Sequence, residues 1–171
     1  MSFLSRLLGI ESDPREKWRP LWHAVIGEAR DPDWYRMCGV ADTPEGRFDM
    51  ITLVLSLVFL RLERESDAVP ISARMTELFV EDMEGQLREA GIGDPTVGKK
   101  IGNYVESLAG RLSAYRACIK DEDRTTLANA LRRNVTMAQE DEAEALAARM
   151  MAVHARFDAL DMEDLRKGKL R

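Results

Sequence analysis

Residues 94–120 read DPTVGKKIGNYVESLAGRLSAYRACIK. Val97, Ile101, Tyr104, Leu108, Leu112, Tyr115 and Ile119 recur along them at steps of three and four, the spacing of one face of an α-helix. This is the strongest amphipathic stripe in the chain, and it predicts a long helix opened by Asp94-Pro95. Upstream, residues 44–62 read PEGRFDMITLVLSLVFLRL after Thr43, another cap followed by proline at the first helical position. Apolar residues surround that segment from Met50 to Leu60, which predicts a helix at the centre of a bundle.

Working outward, Asp13-Pro14 opens a helix that buries Trp18, Leu21, Trp22, Val25 and Ile26, and Asp31-Pro32-Asp33 reads as a turn. Ser72 is the expected cap of a helix carrying Met75, Leu78, Phe79, Met83 and Leu87, which stops at Gly91 or Gly93 with positive φ. Asp121 is the expected cap of a shorter helix through Leu127, Leu131 and Val135. Glu140 to Leu160 reads as an Ala-rich helix with Leu146, Met150, Val153, Phe157 and Leu160 turned inward. No stretch alternates at period two. The expected fold is therefore all-α, six to seven helices in a bundle-like single domain spanning residues 13–171.

A 171-residue chain that is 45% apolar and 32% charged has enough material for a core without disulfides or metal. Cys38 and Cys118 have no paired spacing and read as buried thiols. The formal charge of −5 argues against general nucleic-acid binding. Charge is unevenly spread, however. From Gly85 to Lys120 six cations (Arg88, Lys99, Lys100, Arg111, Arg116, Lys120) face three acids, whereas from Gln139 to Asp164 eight acids face two arginines. A basic and an acidic surface on one molecule suit an adaptor.

The apolar run from Met50 to Leu60 is too short to span a bilayer, which takes about 20 residues. The first ten residues lack the layout of a signal peptide, so a cytoplasmic location is expected, including a peripheral one on the inner face of the membrane. Residues 1–12 form a short amphipathic segment in which Phe3, Leu4, Leu7 and Leu8 share one helical face, a candidate membrane contact or a cap on the core.

No group of residues supports catalysis. Gly93 to Lys100 matches the start of the phosphate-loop pattern G-x-x-x-x-G-K-[ST], but Lys100 replaces the magnesium-binding hydroxyl, a helix replaces the preceding strand, and Pro95 removes a loop N–H. A glycine stop followed by an Asp-Pro start explains the same residues, leaving a tight helical hairpin with Arg88, Lys99 and Lys100 near its corner. Gly98 and Gly102, four apart, would let a neighbouring helix approach closely. His23 and His154 stand in no metal-binding arrangement, so no metal or cofactor is expected. Glu81, Asp82 and Glu84 have no histidine or serine beside them and read as a solvated face. No small-molecule substrate is expected, and the chain reads as a non-enzyme.

Three stretches carry a family resemblance: Asp82 to Asp94 (DMEGQLREAGIGD) followed by Val97-Gly98-Lys99-Lys100, then Gly110-Arg111-Leu112-Ser113-Ala114-Tyr115, then Ala130-Leu131-Arg132-Arg133-Asn134. With Gly46 to Ile51 and Arg61-Leu62 they resemble the ubiquinol-cytochrome c chaperone family from roughly Trp34 to Leu160. The resemblance implies an assembly factor for the respiratory ubiquinol-cytochrome c reductase that holds newly made cytochrome b or another subunit. Its matching motif, Arg88, Gly91, Gly93, Asp94, Val97, Gly98, Lys99, Lys100, Arg111 and Tyr115, is the expected partner-binding set. Mitochondrial members work at the ribosomal exit tunnel with a small helical partner. No transit peptide is expected here and the chain resembles a bacterial member, which leaves a ribosome contact and the small partner open. The alternative is a helical adaptor on a membrane surface, without a respiratory client.

Overall fold

In the computed structural model, residues 13–171 are described, and Phe3, Leu4, Leu7 and Leu8 lie outside them. The described residues form six long helices and two short ones: α1 (Arg19–Ala29), α2 (Pro32–Met37), α3 (Pro44–Leu62), α4 (Ala68–Glu89), α5 (Asp94–Lys120), α6 (Arg124–Asn134), α7 (Ala143–Asp158) and α8 (Met162–Arg166). Single 3-10 turns precede α1 and α7. No strand occurs among the described residues; an isolated antiparallel bridge joins Val40 to Met137.

The all-α expectation holds, and α3 is its axis. Every residue from Asp49 to Leu62 is buried, and α3 packs against α1, α4, α5 and α7. Burying one Leu or Val side chain contributes about 2 kcal/mol, so this run is the main source of core stability. Its polar residues are satisfied locally: Thr52 Oγ1 donates to the Asp49 carbonyl at 2.9 Å and Ser56 Oγ to the Thr52 carbonyl at 2.7 Å. Arg61, also buried, donates to the Leu160 carbonyl and pairs with Glu65, tying the end of α3 to the α7–α8 connection.

Thr43 caps α3 as expected, its hydroxyl accepting from the Gly46 N–H. Gly46 itself has no substitute: a Cβ there would lie 2.0 Å from the Ala41 carbonyl oxygen. Other boundaries differ from the sequence expectation. Asp31-Pro32-Asp33 is the start of α2, with the Asp31 carboxylate accepting from the Asp33 N–H at 2.9 Å. Ser72 lies inside α4, which begins at Ala68; Pro70 falls in the first turn, where its missing N–H costs nothing. Asp123, not Asp121, caps α6, because α5 runs to Lys120 and the reversal needs two more residues, Glu122 taking φ +52°. The last long helix starts at Ala143, after a 3-10 turn at Glu140–Glu142. Trp34 proves to be core, its indole N–H donating to the Glu28 carbonyl at 2.9 Å under the Arg149 guanidinium.

Candidate functional site

Where the N-terminal turn of α3 meets the α4–α5 hairpin and the end of α6, the helices diverge and leave a groove of about 500 Å³. One wall is apolar. Phe48 and Tyr104 lie with ring centroids 4.3 Å apart, and Met83, Leu87 and Ala90 continue the wall along α4. Glu45, Gln86, Arg133 and Asn134 supply polar edges.

The floor is an ion pair. Arg111, from α5, donates to Asp49 Oδ1 at 2.5 Å and to the Thr52 hydroxyl, and lies over the Phe48 ring at 5.5 Å. The second carboxylate oxygen of Asp49 accepts from the Thr136 N–H at 2.8 Å and its hydroxyl at 2.7 Å. Side-chain exposure of only 11% and 8% for Arg111 and Asp49 makes this a desolvated pair, in which the Asp49 carboxylate is fully engaged while the buried Arg111 Nε has no hydrogen-bond partner among the described residues. It joins α3, α5 and the segment after α6 at one point. That segment is held from behind by the Ala41 N–H donating to the Thr136 carbonyl and the Ala138 N–H to the Gly39 carbonyl. Below the pair, Tyr115 is fully buried with no hydrogen-bond partner on its hydroxyl, and burial pushes its pKa well above the ordinary phenol value.

The residues expected to bind a partner divide into two places. Arg111 belongs to the groove floor, and Tyr115 is buried in the core without lining the groove. Arg88, Gly91, Gly93, Asp94, Lys99 and Lys100 occupy the hairpin corner, with Val97 buried beneath it as a core contact. Gly91 takes φ +77° and ends α4; Gly93, at φ −74°, is ordinary extended backbone rather than a second positive-φ stop. Asp94 does not cap α5. Its carboxylate pairs with Arg88 at 2.5 Å, and Glu84 pairs with the same guanidinium at 2.7 Å. Nothing lies within 4 Å of a Cβ built on Gly98 or Gly102, so the expected close helix approach does not occur among the described residues. The basic excess of residues 85–120 is likewise smaller in space than in sequence. Arg88, Arg111 and Arg116 are each paired, the last two with Asp49 and Glu63 from the preceding helical layer.

The phosphate-loop likeness dissolves as well: Asp94 to Lys100 is the opening of α5 and follows a helix. Glu81, read as part of a solvated face, is half-exposed and bound by Arg15 and Arg19. His23 is exposed, His154 is half-buried, and no group of three metal-ligating side chains occurs among the described residues. Sequence reading did not find Asp49 as the floor. The signal for it was an acid abutting the most apolar run of the chain.

The sequence profile of the family described as ubiquinol-cytochrome C chaperone matches residues 36–171. The chain belongs to this family. The match runs past Leu160 to the last residue and takes in both the hairpin corner and every residue of the groove. The crystal structure of the Cbp3 homolog from Brucella abortus superposes with a TM-score of 0.79 at 27% identity, covering 97% of this chain and 94% of that one. No curated protein matches. For a ubiquinol-cytochrome C chaperone, a groove with an apolar wall and polar edges has the anatomy of a protein-binding surface, in which the apolar centre holds and the rim orients. No helix among the described residues is long and apolar enough to cross a membrane.

Proposed function

We propose that this protein is a non-enzymatic assembly chaperone of the respiratory ubiquinol-cytochrome c reductase, and that the groove between α3, the α4–α5 hairpin and α6 holds an apolar segment of newly made cytochrome b or another subunit. The observation that carries this reading is the family match over residues 36–171, which includes the whole groove. Chemistry supports the same reading. Phe48, Tyr104, Met83, Leu87 and Ala90 offer aromatic and aliphatic surface, and methionine adapts to clients of varied shape. The charges of Arg111 and Asp49 on the groove floor are paired with each other. The hairpin corner, with Lys99 exposed, supplies steering rather than holding.

Deletion of the gene tests this. The reductase and its b-type haem absorbance should fall, and wild-type chain should restore them. Ala90→Glu, which sets a carboxylate on the exposed lip of the apolar wall, should leave the helical circular dichroism unchanged and restore poorly. A tenfold loss of client affinity corresponds to about 1.4 kcal/mol. Normal reductase in the deletion strain would refute the reading.

A further inference from the structure

On a different face, where α1 ends and α2 and α3 begin, a cleft of about 660 Å³ is lined by Arg30, Arg36, Arg47, Tyr35, Pro32 and Asp42. We infer that this cleft receives the phosphate of an anionic lipid headgroup and docks the protein on a membrane surface, with Met37 entering the interfacial layer.

The charge in the cleft is unbalanced. Arg47 is paired with Asp42 at 2.7 Å, whereas the guanidiniums of Arg30 and Arg36 make no hydrogen bond or ion pair with a described residue. The acids next to them in sequence are engaged elsewhere: Asp33 by Arg149, and Asp31 by Arg149 and Arg171. Three guanidiniums against one carboxylate leave an excess of two positive charges in one concavity of a molecule whose net charge is −5. Guanidinium forks match phosphate oxygens bidentately, and one or two phosphates fill such a cleft. The Tyr35 hydroxyl donates to the Ala29 carbonyl at 2.9 Å and holds the ring as a fixed wall.

A bilayer is favoured over a nucleic acid by two observations. The cations form one compact group rather than the extended run that tracks a phosphate backbone. Beside them Met37, next in sequence to Arg36, is 66% exposed, a large apolar side chain turned to solvent. The inference is independent of the groove and of the reductase reading, since either can fail alone.

The test is sedimentation of the full chain with phosphatidylcholine vesicles, with and without phosphatidylglycerol. Wild type should bind only the anionic vesicles, with binding that weakens as salt rises. Arg30→Gln with Arg36→Gln should lower partitioning about tenfold or more. Met37→Ser should lower it less, and Lys99→Gln with Lys100→Gln should leave it unchanged. Arg30, Arg36, Met37 and Lys99 are exposed and Lys100 is half-buried, and an unaltered thermal midpoint separates lost docking from lost fold. Absence of binding by wild type, undiminished binding by the arginine variant, or preference for a single-stranded oligonucleotide over the vesicles would overturn the inference.

Discussion

At the scale of single residues, the Arg111–Asp49 pair organises the groove and makes the sharpest stability prediction. Arg111→Met leaves Asp49 buried against apolar surface, and loss of one partner of a buried pair costs about 3 kcal/mol. Urea denaturation should show that loss, and a double replacement of Arg111 and Asp49 by apolar residues should recover part of it. The two cysteines make a second residue-scale prediction. Cys38 and Cys118 are 3% and 6% exposed, and burial raises both thiol pKa values, so alkylation at neutral pH should be slow in the native protein and fast in urea. Burial of the cysteines was legible from their apolar sequence context. The ion pair was not, because its members lie 62 positions apart and sequence spacing shows only neighbours on one element.

At the scale of elements, Thr43-Pro44 was legible as a helix start, but the same pairing misled twice: Asp31-Pro32 opens α2 rather than a turn, and Asp13-Pro14 leads into a 3-10 turn, with α1 beginning only at Arg19. Ser72 failed because Pro70 can be accommodated inside a first turn; Asp121 failed because the length of a reversal is set by how the two helices pack. Glycines give opposite predictions according to their surroundings. Gly46→Ala should destabilise by about 3 kcal/mol, since the new methyl meets the Ala41 carbonyl. Gly98→Ala and Gly102→Ala meet nothing and should each stabilise α5 by about 1 kcal/mol. Thermal unfolding distinguishes the two cases. Acid should loosen the element junctions. A hydrogen bond from Arg15 holds the Asp13 carboxyl at about 2, below its ordinary 3.8, and hydrogen bonds from Arg47 and Thr126 likewise lower Asp42 and Asp123. A depressed folded pKa contributes stability that is present above the unfolded pKa and lost as pH falls through the folded one. Stability should therefore decline from about pH 4 to pH 2, measured by circular dichroism.

At the scale of the whole molecule, the fold class and the family were legible, since heptad-like apolar spacing and the hairpin block both survive in one dimension. The groove was not. It is assembled from the start of α3, both arms of the α4–α5 hairpin and the end of α6, and several of its residues, Met83, Leu87 and Tyr104 among them, read in sequence as ordinary core positions. Helical periodicity assigns a face to a residue but does not say where two helices diverge. The hairpin corner, which dominated the sequence reading, is largely self-neutralised through Arg88, Glu84 and Asp94 and stands outside the groove.

The central claim is that the groove holds a reductase subunit during assembly, and site-specific photo-cross-linking in cells synthesising cytochrome b tests it most directly. A cross-linker in place of Gln86, on the groove's polar edge, should trap cytochrome b or another reductase subunit, while one in place of Glu144, exposed on α7, should trap none. Adducts from Glu144 but not from Gln86, or no reductase subunit at either position, would contradict the account.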